Sequence, residues 1–506
     1  MVEKRDEVRE TTDAPPPQRS RYRRSIMRLR SASMEAYPLW RGRLLFLVGG
    51  IGVGLAAVLM AKGADLAQDG FRRLTAPSPL IALVLTPAGF ALAALLALTV
   101  FPNSQGSGIP QVIAARHARD AGFRYSLISP RVAFGKVLVL FLGLFCGASA
   151  GREGPTVQVG AAIMAAFGRL TPERLPGLLL AGGAAGVAAA FNTPLAGIVF
   201  GIEELGRAYE ARSSGLIVAG IVAAGLTSLG LLGNYTYFGT TDAALPLAAG
   251  WIVPLVAVVG GLAGGLFSRL VILFARGLPG AAGRAIRKRP VIFAAACGLC
   301  VALCGLASGG AAYGTGYEEA KAILHGDAAA GWTYAPLKFA ATVLSSISGI
   351  PGGLFAPSLA VGAGLGGTVH GLLPGMPVGA VVLIGMVAYL TGVLQAPITS
   401  FVIVTEMTQN HAMVIPLMVA ALLADAASKA ICRGGLYHTP GGDHARARRR
   451  AGAARGEDRL TAPRPARPSA GKNKSGPGRN PRNGLAWRRL RQQHQAPRRG
   501  AAGVTP

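Results

Sequence analysis

Residues 339–405 read FAATVLSSISGIPGGLFAPSLAVGAGLGGTVHGLLPGMPVGAVVLIGMVAYLTGVLQAPITSFVIVT, a run of 67 positions with no Asp, Glu, Lys or Arg. A helix that crosses the hydrocarbon needs about 20 apolar residues, so this run is too long for one span. Gly and Pro break it at Gly349-Ile350-Pro351-Gly352-Gly353, at Pro374-Gly375-Met376-Pro377 and at Gln395-Ala396-Pro397. It reads as several helices of unequal length, some ending inside the membrane. Backbone that ends there must be shielded by protein or line a polar cavity. Broken helices of this kind already suggest a transport site.

Outward from this run the pattern repeats. Residues 74–115, 175–202 and 290–317 are also uncharged. Of 506 residues, 51% are apolar and 15% charged, and 71 are glycine. An ordinary soluble domain carries roughly 25% charged residues, so the composition excludes a soluble enzyme and global disorder. It fits an all-α polytopic membrane protein in which small residues let helices approach closely. Helices are expected over 44–72, 79–101, 108–118, 131–149, 153–169, 174–190, 193–210, 214–232, 248–277, 289–309, 317–325, 333–348, 354–371, 377–394, 398–408 and 412–431. The segment from Leu44 is expected to stay in the mature chain, since no cleavage-type small-residue site follows it.

The net charge of +28 is concentrated at the ends. Residues 1–43 hold 11 basic and 6 acidic side chains, and residues 438–506 hold 17 and 3. Neither segment can bury enough apolar surface to fold alone. The expected organisation is therefore a mostly disordered basic tail over 1–43, a membrane domain over 44–437 and an Arg/Pro/Gly-rich disordered tail over 438–506. The last is expected to be dispensable for transport. Basic flanks favour the cytoplasmic side, so both termini are expected there. Nucleic-acid binding by the tail is disfavoured, because Trp487 is the only aromatic residue after Tyr437. Cys297, Cys300 and Cys304 fall in an apolar helix without His or carboxylate neighbours and read as packing residues rather than metal ligands.

An internal repeat is visible. Gly151-Arg152-Glu153-Gly154-Pro155 opens an apolar helix, and Asn192-Thr193-Pro194 opens another that runs to Glu203. Gly352-Gly353-Leu354-Phe355-Ala356-Pro357 and Gln395-Ala396-Pro397 do the same in the second half, ending at Glu406. Pro155 precedes Pro194 by 39 positions and Pro357 precedes Pro397 by 40; each later proline precedes its acid by 9. Repeat halves of about 44–240 and 246–437, with broken helices meeting near the midplane, form a transporter architecture.

Three glycine-rich segments stand at expected helix starts: Gly106-Ser107-Gly108-Ile109-Pro110, Gly151–Pro155 and Gly352–Pro357. Each places proline in the first helical turn, where its missing N–H costs nothing. Helix N-termini present free N–H groups and partial positive charge. Three of them aimed at one point would make an anion site without a full cation, which suits rapid release.

Taken together and in this order, these segments resemble the signature motifs of the CLC family of chloride channels and chloride/proton antiporters, over roughly residues 44–437. The resemblance implies the CLC fold, two inverted repeats in each subunit of a homodimer, and one pore per subunit. It implies a chloride site formed by Ser107, Gly108, Ile109, Leu354, Phe355 and Tyr437, through main-chain amides and the two hydroxyls. Chloride is then a transported ligand, and no cofactor, metal, catalytic residue or nucleic-acid partner is expected. A bacterial-type inner-membrane protein is implied, multi-pass in the lipid bilayer.

Glu153 is a carboxylate within the apolar body, which is costly and marks function. Among anion-seeking amides it can take the anion's place; once protonated it loses that attraction and can swing away. The family's matching glutamate is the extracellular gate. Glu203 has Glu406 as its repeat partner and reads as structural. Glu204 faces Met407 in the repeat, and an acid present in one half only suits a specialised role. The family's matching glutamate hands protons in from the cytoplasm. Lys136, in the middle of an apolar helix, reads either as a buried ammonium raising the potential of the anion path or as a lysine snorkelling to the interface. The expected function is chloride/proton exchange. A passive chloride channel on the same scaffold is the alternative, and an integral-membrane enzyme finds no nucleophile motif or nucleotide loop to support it.

Overall fold

The computed structural model describes residues 18–206, 214–233, 236–327, 331–373 and 375–437. The 438–506 tail lies outside them, as do residues 1–17.

The helices of the first half are α1 (Gln18–Thr75), α2 (Ala82–Thr99), α3 (Ile109–His117), α4 (Ala121–Leu127), α5 (Pro130–Phe145), α6 (Glu153–Gly168), α7 (Leu175–Phe191), α8 (Pro194–Phe200) and α9 (Ser214–Leu232). Those of the second are α10 (Ile252–Arg276), α11 (Gly280–Lys288), α12 (Pro290–Ala307), α13 (Tyr317–His325), α14 (Tyr334–Ile347), α15 (Phe355–Leu372), α16 (Val378–Leu394), α17 (Pro397–Thr408) and α18 (Val414–Ile431). Among the described residues, eight helical stretches are long and apolar enough to cross a membrane. The fold is an all-helical, polytopic one.

The two halves follow one plan. Helix α6 packs on α7 as α15 packs on α16, and α1 packs on α9 as α10 packs on α18. Helices α7 and α16 both end on a left-handed residue, Asn192 with φ +57° and Gln395 with φ +58°. A proline then starts the next short helix in each case. The central helices are buried all round: every residue of α16 from Gly379 to Leu394 is enclosed. Their glycines face backbone rather than side chains. A Cβ on Gly160 would strike the Gly182 carbonyl, and one on Gly362 the Gly385 carbonyl. This is the close approach that small residues permit in place of a hydrophobic drive between helices.

Four elements depart from expectation. Helix α1 begins at Gln18, inside the segment read as an unfolded basic tail; residues 18–37 contain neither Gly nor Pro, and their Arg, Leu, Met and Ala favour helix. Helices α4 and α11 were not anticipated, being 7 and 9 residues long with polar sequences. The continuous helix expected over 193–210 is, as far as Gly206, α8 followed by a π-helical turn, Gly201–Gly206; residues 207–210 lie outside the described residues. Cys297 packs in an apolar cluster with Phe90, Ala94 and Val301.

Candidate anion and proton site

The three glycine-rich segments meet. Backbone bonds join Gly106 N–H to the Ile350 carbonyl and Gly352 N–H to the Gly106 carbonyl, both at 3.3 Å. Gly151 and Gly353 exchange a reciprocal pair at 2.8 and 2.7 Å. Gly154 lies against Ser107 and Gly353 so closely that any side chain there would collide with both. The starts of α3, α6 and α15 are thereby fastened to one another. Their first-turn amides lack helical partners, and the fastening brings them together at the junction of the two halves.

Gly108 is the left-handed cap of α3, with φ +96°. The Ser107 and Tyr437 side chains lie near each other, and both are buried. A cavity of about 370 Å³ reaches this pair and is lined there by Gly106, Ser107, Gly353, Leu354, Leu436 and Tyr437. The amide of Ile109 opens α3, and that of Phe355 opens α15.

Glu153 opens α6 and is fully buried. Its carboxylate lies beside its own amide and the Ala356 amide of α15, and the Tyr237 hydroxyl donates to its Oε1 at 3.4 Å. Gly151 has no room for a Cβ, which would overlap Glu153 Oε2. The carboxylate thus takes the place where a helix N-terminus attracts an anion. Its neighbour Arg152 turns elsewhere, pairing with Asp65 of α1 at 2.8 Å and donating to the Ala61 carbonyl at 2.9 Å.

Glu204 lies on the π turn and is 4% exposed. Arg116 of α3 donates to the carbonyls of Leu205 and Gly206 at 2.9 and 2.8 Å, closing that turn. Tyr437 is within electrostatic reach of both Glu204 and Glu153. Both acids therefore lie near one phenol. Phe355, at the start of α15, packs edge-on against Phe191 and Phe200, each at 5.8 Å.

Glu203 and Glu406 do something different. Glu203 accepts from the Ile398 and Thr399 amides, at 3.2 and 2.6 Å, and from the Thr399 hydroxyl at 2.7 Å. Glu406 accepts from Leu195 and Ala196 at 3.1 and 2.8 Å. Each acid at the end of one broken helix caps the start of the other half's broken helix. Such reciprocity is what a pseudo-two-fold relation between the halves produces. We expect Glu406→Ala to leave the Leu195 and Ala196 N–H groups without their cap and to cost about 1–2 kcal/mol. Thermal unfolding in detergent should detect this as a lowered midpoint.

Lys136 is fully buried on α5 and does not snorkel. Its ammonium donates to the Gly106 carbonyl at 2.9 Å and the Gln105 carbonyl at 3.4 Å, the two residues that precede Ser107. Its counterpart Lys338 on α14 holds the carbonyls of Ala312, Tyr313 and Gly314 at 3.1, 3.0 and 2.9 Å. Both lysines precede their repeat's proline, Pro155 or Pro357, by 19 positions, a match that the spacing carries without any structure.

A family model described as voltage gated chloride channel matches residues 89–429, more than half of the chain. The chain belongs to the CLC family. A curated CLC relative, the H(+)/Cl(-) exchange transporter ClcA of Yersinia pestis bv. Antiqua (strain Angola), is 32% identical over 417 residues, covering 75% of this chain and 82% of that protein. The protein of the same name from Yersinia pseudotuberculosis serotype O:3 (strain YPIII) gives the same figures. Among solved structures, a slow cyanobacterial Cl-/H+ antiporter superposes with a TM-score of 0.68 at 23% identity, over 80% of this chain and 98% of that one. A eukaryotic CLC transporter gives 0.65 at 20% identity, over 80% and 74%. These likenesses establish the CLC fold. Tyr237 escaped the sequence reading of this CLC chain. It stands in a loop without a motif, and 84 positions separate it from the acid it touches.

Proposed function

We propose that this protein exchanges chloride for protons across a bacterial inner membrane. The observation that carries the reading is the buried carboxylate of Glu153, set beside main-chain amides at the meeting point of three helix starts. Chloride binds between the Ser107 and Tyr437 hydroxyls and the amides of Gly108, Ile109, Leu354 and Phe355. Glu153 is the gate: ionised, it competes with chloride for the amides; protonated, it is released. Glu204 exchanges protons with the cytoplasmic side. A passive channel needs no second buried acid, so Glu204 favours exchange.

A homodimer is part of the same reading. Helices α8, α17 and α18 expose Leu195, Ile398, Ile415 and Leu422, each at least half exposed, an apolar face suited to a second copy. Both termini are taken as cytoplasmic.

Anion choice rests on Ser107. Ser107→Pro removes a hydroxyl donor and an N–H beside the anion. A hydrogen bond to a charged group contributes about 1.5–3 kcal/mol, so chloride should lose about tenfold relative to nitrate. The chloride/nitrate flux ratio in liposomes tests this; an unchanged ratio removes Ser107 from the site.

A further inference from the structure

We infer that Tyr237 is the latch of the gate, a fixed phenol that holds the Glu153 carboxylate in its buried position and must release it for an anion to pass. This rests on the gating role given to Glu153 above.

The geometry has a fixed side and a movable side. Tyr237 is 3% exposed, and its ring is packed edge-on by Phe191 at 5.5 Å, Phe238 at 5.1 Å and Tyr317 at 4.9 Å. The loop that carries it is tied to the second half at every turn. Phe238 N–H donates to the Met407 carbonyl and Thr241 N–H to that of Thr408, both at 3.3 Å. His325 Nε2 bonds the Phe238 carbonyl at 2.8 Å, and Asn410 donates to the carbonyls of Thr241 and Ala243 at 2.9 and 2.8 Å. A phenol held on so many sides cannot follow a carboxylate that swings. The bond to Glu153 therefore exists in the buried position alone and is lost when the gate opens.

The charges around the latch are few. Arg152 adjoins Glu153 and lies over the Tyr237 ring at 5.9 Å, but its ion pair is with Asp65 on α1. From the C-terminal segment Tyr437 approaches Glu153. From α13, Tyr317 meets the Tyr237 ring, with Lys321 over it in turn at 5.9 Å, and His325 holds the adjacent backbone. Tyr237 supplies the one side-chain hydroxyl bonded to the Glu153 carboxylate among the described residues. A hydrogen bond to a carboxylate favours its charged form, so removing this one makes protonation of the gate easier.

Tyr237→Phe keeps the ring and deletes the hydroxyl. In liposomes holding the full-length protein, chloride efflux should become faster at neutral pH. Its pH profile should move toward higher pH by about one unit, tenfold in proton concentration. Adding Tyr237→Phe to Glu153→Gln should change nothing further, because the glutamine variant has no carboxylate to latch. A profile unmoved by Tyr237→Phe, in a protein whose Glu153→Gln variant is pH-insensitive, overturns the latch and leaves the gate standing. An effect of Tyr237→Phe that persists in the Glu153→Gln background also overturns it, by showing that the ring or loop acts independently. A Glu153→Gln variant that keeps the wild-type pH response overturns the gate itself, and the latch with it.

Discussion

Glu153→Gln is expected to abolish proton transport while chloride continues to flow, now independent of pH. The reason lies in the position of the carboxylate. It is fully buried and faces the amides of Glu153 itself and Ala356, where an anion is attracted by partial positive charge and unpaired N–H groups. Glutamine has the same shape but no charge, so it mimics the protonated gate at every pH. It offers no proton to carry and no titration to slow the anion. Proton flux should fall to the leak of protein-free liposomes, and the pH profile of chloride efflux should flatten. Parallel chloride-electrode and pH-electrode recordings on the same vesicles read both quantities. A glutamine variant that still moved protons against their gradient would remove Glu153 from the coupled step.

Glu204→Gln should also end proton pumping, but it should leave the pH response of chloride flux in place. Glu204 lies on the π turn after α8, and the phenol of Tyr437 is near both it and Glu153. In the proposed mechanism removal of Glu204 closes the proton supply, while Glu153 remains free to titrate and gate. The two substitutions therefore share one loss and differ in the other. Uphill pumping by Glu204→Gln at the wild-type rate would reduce Glu204 to a structural acid like Glu203.

Much of this arrangement is legible in the sequence, because the repeat carries it. The equal spacing from Pro194 to Glu203 and from Pro397 to Glu406 separates two structural acids from Glu204, and the reciprocal caps give the spacing its physical meaning. The glycines of the three motifs mark helix starts because only a missing Cβ allows those backbones to touch, as at Gly154 between Ser107 and Gly353. Helix ends in the apolar body are marked by Asn192 and Gln395 followed by proline, which the repeat also shows.

What stays hidden depends on contacts between distant segments. The fate of Lys136 is of this kind: a flexible stem lets the ammonium reach either an interface or a carbonyl, and only the position of the Gln105–Gly106 loop decides it. The π turn at Gly201–Gly206 has no periodicity to distinguish it from the α-helix it continues. Short polar helices such as α4 and α11 bury too few residues to imprint an apolar pattern. Tyr237 belongs to a loop whose placement is set by Met407, Thr408, Asn410 and His325, all in the other half.

The central claim is coupling between the two ions, and a chloride gradient that drives protons uphill tests it most directly. Liposomes containing the purified wild-type protein are loaded with high chloride, diluted into low chloride at equal pH, and followed with a pH electrode while the membrane potential is clamped by potassium and valinomycin. Exchange requires protons to move into the vesicles as chloride leaves, against the proton gradient that builds, and the movement should vanish in both Glu153→Gln and Glu204→Gln. Chloride efflux with no uphill proton movement in the wild type would contradict the account and make the protein a passive chloride channel.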